Sequence, residues 1–190
     1  ARRSIVVSET VFSMDGDVAP LDDLRAVCER HGALLVLDEA HAVLGPDLGS
    51  VAGDVLRVGT LSKALGALGG FVAGPARFTD LLVNQARSYI FRTASTPAGA
   101  AAALAALAVM RSPEGDELRA RLRAHVDRLR PGHPSPILPY RCGSEHDALA
   151  PAAALLAEGL VVTAIRPPTV PPGTSRLRVT VSAAHSDEQV

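Results

Sequence analysis

The stretch from Ser4 to Asp38 limits the fold more than any other part of the chain. Ser4 to Ser8 is a short β-branched run, Leu21 to His31 places Leu24, Val27 and Cys28 at helical spacing, and Leu34 to Leu37 is an unbroken apolar run that stops at Asp38. A strand, helix and strand in so short a span predict two parallel neighbours, because a helical crossover brings the chain back to the same sheet in the same direction. Parallel strands are buried on both sides, so the expected class is α/β, a mostly parallel sheet with helices on both faces. Open sheets of this kind bind ligands beyond the carboxyl ends of their strands, where Asp38, Glu39 and His41 cluster.

Val55 to Thr60 and Phe71 to Ala73 read as further strands, separated by the small-residue segment Leu61 to Gly70 that holds Ser62 and Lys63. Pro75 opens a predicted helix to Ala86, and Ala98 to Met110 is so rich in alanine and leucine that a packed helix is expected. Gly115 is expected to separate it from an arginine-studded helix over Glu117 to Arg130. Pro131, Gly132, Pro134, Pro136 and Pro139 predict a turn-rich linker, followed by a helix from Leu149 to Glu158 and strands at Val161 to Ile165 and Leu177 to Val181. The expected organisation is part of a larger domain over residues 1–97, a helical spine over 98–131 and a smaller α+β domain over 132–190. Both ends read as cut, the first opening almost directly in strand-like sequence.

Charge narrows the function classes. With a formal net charge of -1, the chain lacks the basic excess that nucleic acids or anionic membranes attract, so small molecules or protein are the expected partners. The first apolar run meets Glu9 too soon for a signal-peptide core or a membrane span. Cys28 and Cys142 are the only cysteines, too few for a disulfide framework or thiolate cluster, which suggests a reducing, cytoplasmic setting. His31, His125, His133, His146 and His185 have no metal-ligand spacing; they read as surface or helix-end residues, and no metal is assigned. Arg119, Arg121, Arg123, Arg128 and Arg130 cover several faces of their helix, as a solvated surface does.

Asp38-Glu39-Ala40-His41 has two sharp readings. One is a nucleotide-hydrolysing motor, in which adjacent acids manage magnesium and water, although no phosphate loop ending in Gly-Lys-Ser or Gly-Lys-Thr occurs. The other is a pyridoxal-phosphate site, in which an acid at a strand end pairs with the pyridine nitrogen and a lysine follows downstream. Lys63 is the only lysine in a chain that uses arginine everywhere else, and it sits among small residues in Gly59-Thr60-Leu61-Ser62-Lys63-Ala64-Leu65-Gly66. A titratable amine, unlike a guanidinium, serves as nucleophile and base. The plain alternative is a solvated surface lysine. Ser62 lacks the Gly-x-Ser-x-Gly elbow of a nucleophilic serine.

Four ordered motifs, Ser8 to Asp17, Asp38 to His41, Thr60 to Lys63 and Ile165 to Pro171, together resemble the α-oxoamine synthase family. These are fold-type I pyridoxal-phosphate enzymes that condense an amino acid with an acyl thioester and lose carbon dioxide. The resemblance implies that Lys63 carries pyridoxal 5'-phosphate, that Asp38 pairs with its ring nitrogen and that His41 hydrogen-bonds its ring oxygen. It also implies cofactor contacts from Thr60, to the phosphate, and from Ser13. Thr169 and Arg178 fall in substrate-side positions, with Arg178 holding the amino-acid carboxylate. Glu9 is either catalytic support or a strand-end acid. Thr93, Ser95 and Thr96 lie where the family reaches across a homodimer interface.

Ile165 to Pro171, followed by Gly173, Arg176-Leu177-Arg178 and Ser182 to His185, is most similar to the family member that joins L-alanine to a pimeloyl thioester, carried on coenzyme A or acyl carrier protein. Other members use glycine or serine. The segment Ala42 to Gly49 is shorter than the family's glycine-rich loop and lacks its arginine-glycine ending, and the family's N-terminal part is absent. An inactive remnant therefore stands beside the enzyme reading, with the motor fragment as a remote third.

Overall fold

The computed structural model describes residues 4–42 and 54–190, which form two compact units. The first comprises residues 1–11 and 18–117, the second residues 12–17 and 118–190.

In the first unit the sheet order is β1-β2-β3-β4, built from β1 (Ile5–Glu9), β2 (Leu34–Asp38), β3 (Val55–Thr60) and β4 (Gly70–Ala73). The first three strands are parallel, as the strand, helix, strand pattern requires, and β4 returns antiparallel to β3. Helix α1 (Leu21–His31) joins β1 to β2, with Asp22 and Asp23 in its first turn and Arg30 and His31 in its last, each sign matched to the helix dipole. Gly32, at φ 58°, takes the left-handed turn that ends it.

Cys28 of α1 is buried with Ala33, Leu35, Leu37 and Val55, and Leu21, Leu24 and Val6 pack around them. Each leucine so enclosed contributes roughly 1.5–3 kcal/mol. Side chains alternate along a strand, so Asp38 falls on the sheet face away from this core, the face that also carries the exposed Ile5 and Val7. The unit also contains the helices α2 (Ala76–Gln85), the single turn α3 (Arg87–Ile90) and α4 (Pro97–Met110). Thr96 caps α4 by accepting the Gly99 amide at 3.2 Å, and Pro97 starts it. One face of α4 is covered, with Ala103 buried and Ala106, Leu107 and Met110 half-buried at helical spacing, while Leu104 on the other side is exposed.

The division between units falls inside α5 (Pro113–Leu129). Gly115 does not separate two helices; it lies in the first turn of α5, and its amide points at Ser112 Oγ at 3.4 Å. A methyl group there would lie 2.3 Å from the Val109 carbonyl oxygen, so glycine answers the tight approach of two consecutive helices.

The second unit folds around an antiparallel sheet of order β5-β7-β6, from β5 (Ile137–Gly143), β6 (Thr163–Ile165) and β7 (Ser175–Thr180), with α6 (Glu145–Ala157) against it. Pro139, expected in a linker, is part of β5; β5 is an edge strand, where a residue without an N–H is tolerated. Helix α6 starts four residues earlier than its apolar pattern suggests, because Ser144 Oγ accepts the Asp147 amide at 3.2 Å, and Pro151 is accommodated inside it. His125 is another departure: it is buried, with Nδ1 3.1 Å from the Ser182 carbonyl oxygen and Nε2 3.3 Å from Asp187. Among the described residues no helix is long and apolar enough to cross a membrane.

Candidate active site

The carboxyl ends of β2 and β3 carry most of the candidate residues. Asp38 closes β2, and its Oδ1 accepts the Ala40 amide at 2.8 Å, while the Ala42 amide donates to the Glu39 carbonyl at 2.9 Å. An aspartate bonding the amide two residues on is a turn-maker, and this turn lifts His41 over the strand end. Beyond β3 the chain loops through 61–69. The Leu61 amide meets the Gly69 carbonyl at 2.9 Å and the Gly66 amide meets that of Lys63 at 3.0 Å, Gly66 taking φ 58°.

These two turns bring Lys63 Nζ to 2.9 Å from His41 Nε2. With the amine as donor, the ring proton sits on Nδ1. Thr60 shares the face of Asp38 by strand alternation; its hydroxyl donates to the Gly69 carbonyl at 3.2 Å and lies 2.8 Å from Ser62 Oγ. An acid, an imidazole, an amine and two hydroxyls thus collect at one sheet end, with Asp38 and Lys63 exposed to a ligand. The set fits a cofactor with a basic ring nitrogen, an aldehyde and a phosphate. Most of the segment Ala42 to Gly49, expected from the sequence to be shorter than the family's loop, lies outside the described residues.

Glu39 leaves the cluster in which the sequence places it. It is buried and its Oε1 accepts Arg57 Nε at 2.6 Å, on the core side of the sheet. Adjacent acids on opposite faces do not share a metal ion or a water, so the paired-acid motor reading loses its geometry. Arg57 went unnoticed in the sequence, although a lone charge inside Val55-Leu56-Arg57-Val58 demands a partner.

The second unit carries Ser13, Thr169 and Arg178. Ser13 lies in the turn 12–17, closed by the Phe12 amide on the Asp17 carbonyl at 2.9 Å and the Gly16 amide on that of Phe12 at 2.7 Å. Two arginines of β7 hold this turn: Arg178 Nε donates to the Ser13 carbonyl at 2.6 Å, and the buried Arg176 pairs with Asp15. Ser135 Oγ fixes its far end by donating to the Gly16 carbonyl at 2.7 Å. Partial burial holds the Arg178 pKa below the ordinary guanidinium value. Thr169 is exposed in the turn after β6, where its amide donates to the Arg166 carbonyl at 3.1 Å. Thr93, Ser95 and Thr96 are exposed in the first unit.

Comparison with known proteins places the chain in a family. The model of the family "Aminotransferase class I and II" matches residues 1–190, and the chain belongs to that family. Among curated relatives, 8-amino-7-oxononanoate synthase of Anaeromyxobacter dehalogenans strain 2CP-C is 49% identical over 209 residues, covering 100% of the chain and 52% of the relative. That of Burkholderia thailandensis is 51% identical over 205 residues, covering 98% and 52%. A solved structure of SPT with PLP superposes with a TM-score of 0.85 at 32% identity, covering 97% of this chain and 51% of that one. The chain spans about half the length of the curated relatives it matches.

Proposed function

We propose that this chain is part of a pyridoxal-phosphate enzyme that condenses L-alanine with a pimeloyl thioester, on coenzyme A or acyl carrier protein, releasing the free carrier thiol and carbon dioxide to give 8-amino-7-oxononanoate. The observation that carries the reading is the meeting of the only lysine with His41 beside Asp38 at the ends of parallel strands. When bound, the cofactor supplies an electron sink for the amino-acid α-carbon. Asp38 keeps the ring nitrogen protonated and His41 bonds the ring oxygen. Lys63 would hold the cofactor through its amine, and the same amine would serve as the general base toward the amino-acid α-proton. Thr60 and Ser13 hold the cofactor's periphery, and Arg178 clasps the substrate carboxylate while Thr169 lines the substrate side. The exposed Tyr89, Ile90 and Phe91, close to Thr93, suit a homodimer. Two unbonded cysteines suit a cytoplasmic setting.

The test uses the full-length protein carrying this chain. Added pyridoxal phosphate should give a visible absorbance band that disappears in Lys63→Ala. L-alanine should shift the band more strongly than glycine or L-serine; a stronger response to either competitor reassigns the substrate, and a band indifferent to Lys63 removes the enzyme reading.

A further inference from the structure

Glu39 sits beside Asp38 yet has no part in the chemistry proposed above. Its side chain is 9% exposed, on the core side of the sheet, and its carboxylate meets Arg57 Nε at 2.6 Å. Burying a carboxylate is costly unless it is paired, so its position needs an explanation beyond packing. Arg57 belongs to β3, three residues before Thr60 and on the strand that feeds the Lys63 loop; Glu39 opens the turn that carries His41. The Glu39 amide also donates to the Val58 carbonyl at 2.7 Å, so backbone and side chain both bind this turn to β3. The side-chain bond is short and directed, whereas apolar contacts alone would let the turn slide.

We propose that Glu39 and Arg57 are positioning residues: their ion pair, on the face opposite Asp38, holds the Asp38 to His41 turn in register with the loop that delivers Lys63. The proposal rests on the assignment of Asp38, His41 and Lys63 to the cofactor. Neither positioning residue touches the cofactor; they act by keeping the 2.9 Å approach of Lys63 Nζ to His41 Nε2.

Two substitutions of Glu39 separate placement from stability. The Arg57 side chain is 38% exposed, so it can hydrate when its partner is removed. Glu39→Leu should therefore melt within a few degrees of the unsubstituted full-length protein, yet bind pyridoxal phosphate about tenfold more weakly in an absorbance titration, because a small misplacement at a reacting centre is expensive. Glu39→Gln keeps an acceptor for Arg57 and should restore affinity to within about twofold. Should Glu39→Leu fail to fold, the double variant Glu39→Met/Arg57→Met, which leaves no buried charge, should show the same weakening. Affinity like that of the unsubstituted protein in the folded variant lacking the bond overturns the proposal, as does equal weakening in Glu39→Gln and Glu39→Leu. If the unsubstituted protein shows no Lys63-dependent binding, the functional assignment itself fails; binding there with no loss in the variants refutes the positioning role alone.

Discussion

The first unit brings His41 and Lys63 together across 22 positions of sequence, at the ends of neighbouring parallel strands; the second brings Ser13 to Arg178 across 165. In the first, placement follows from strand order: a parallel sheet stacks its strand ends, and short turns beyond them converge wherever polar residues occur. In the second, the turn 12–17 leaves one compact unit for another and is held by side chains of β7 and by Ser135. A site built on sheet topology tolerates changes in remote sequence, whereas one built on a docked turn depends on the close fit of particular atoms.

The sharpest way to break this comparison is Lys63→Ala in the full-length protein, where the cofactor band should vanish while melting of the cofactor-free protein changes little. Arg178→Leu should leave that band intact but raise KM for the amino acid by about 100-fold, by removing a charge-assisted pair; a lost band would mean that Arg178 serves the cofactor, directly or through the Ser13 turn it holds. Gly16→Ala probes the docked turn. Gly16 stands at φ 69°, and an added methyl would lie 2.1 Å from the Ile137 carbonyl oxygen, so the variant should lose about 2–4 kcal/mol in denaturant unfolding.

The smallest effect is electrostatic and belongs to the second unit. A hydrogen bond from Arg123, seconded by the Gly132 amide, holds Asp127 below the usual carboxylate range. A depressed folded pKa stabilises above the unfolded value and ceases to do so as pH falls through the folded one. The melting-temperature gap between the unsubstituted protein and Asp127→Asn should therefore be present at neutral pH and close between about pH 5 and pH 2.

Much of this architecture is written locally. The α1 span follows from apolar spacing and the glycine stop at Gly32, and β2 and β3 from apolar runs bounded by polar residues. Lys63 stands out through composition, as the only lysine in an arginine-rich chain. Local pattern misleads where a residue's usual habit is overruled by its neighbours. Pro139 joins an edge strand that does not need its missing donor, Gly115 opens a helix because two helices meet there, and His125 is buried with its ring nitrogens beside the Ser182 carbonyl and Asp187.

The sequence by itself determined the parallel α/β unit, the lysine and the acid at its strand ends, because periodicity, turn chemistry and residue type act over a few positions. Only the tertiary structure decided that Glu39 turns from Asp38 towards Arg57, and that residues 12–17 dock onto Arg176 and Arg178. Both depend on which distant backbone lies alongside, a choice made when buried charges must find partners and the fold brings those partners within reach.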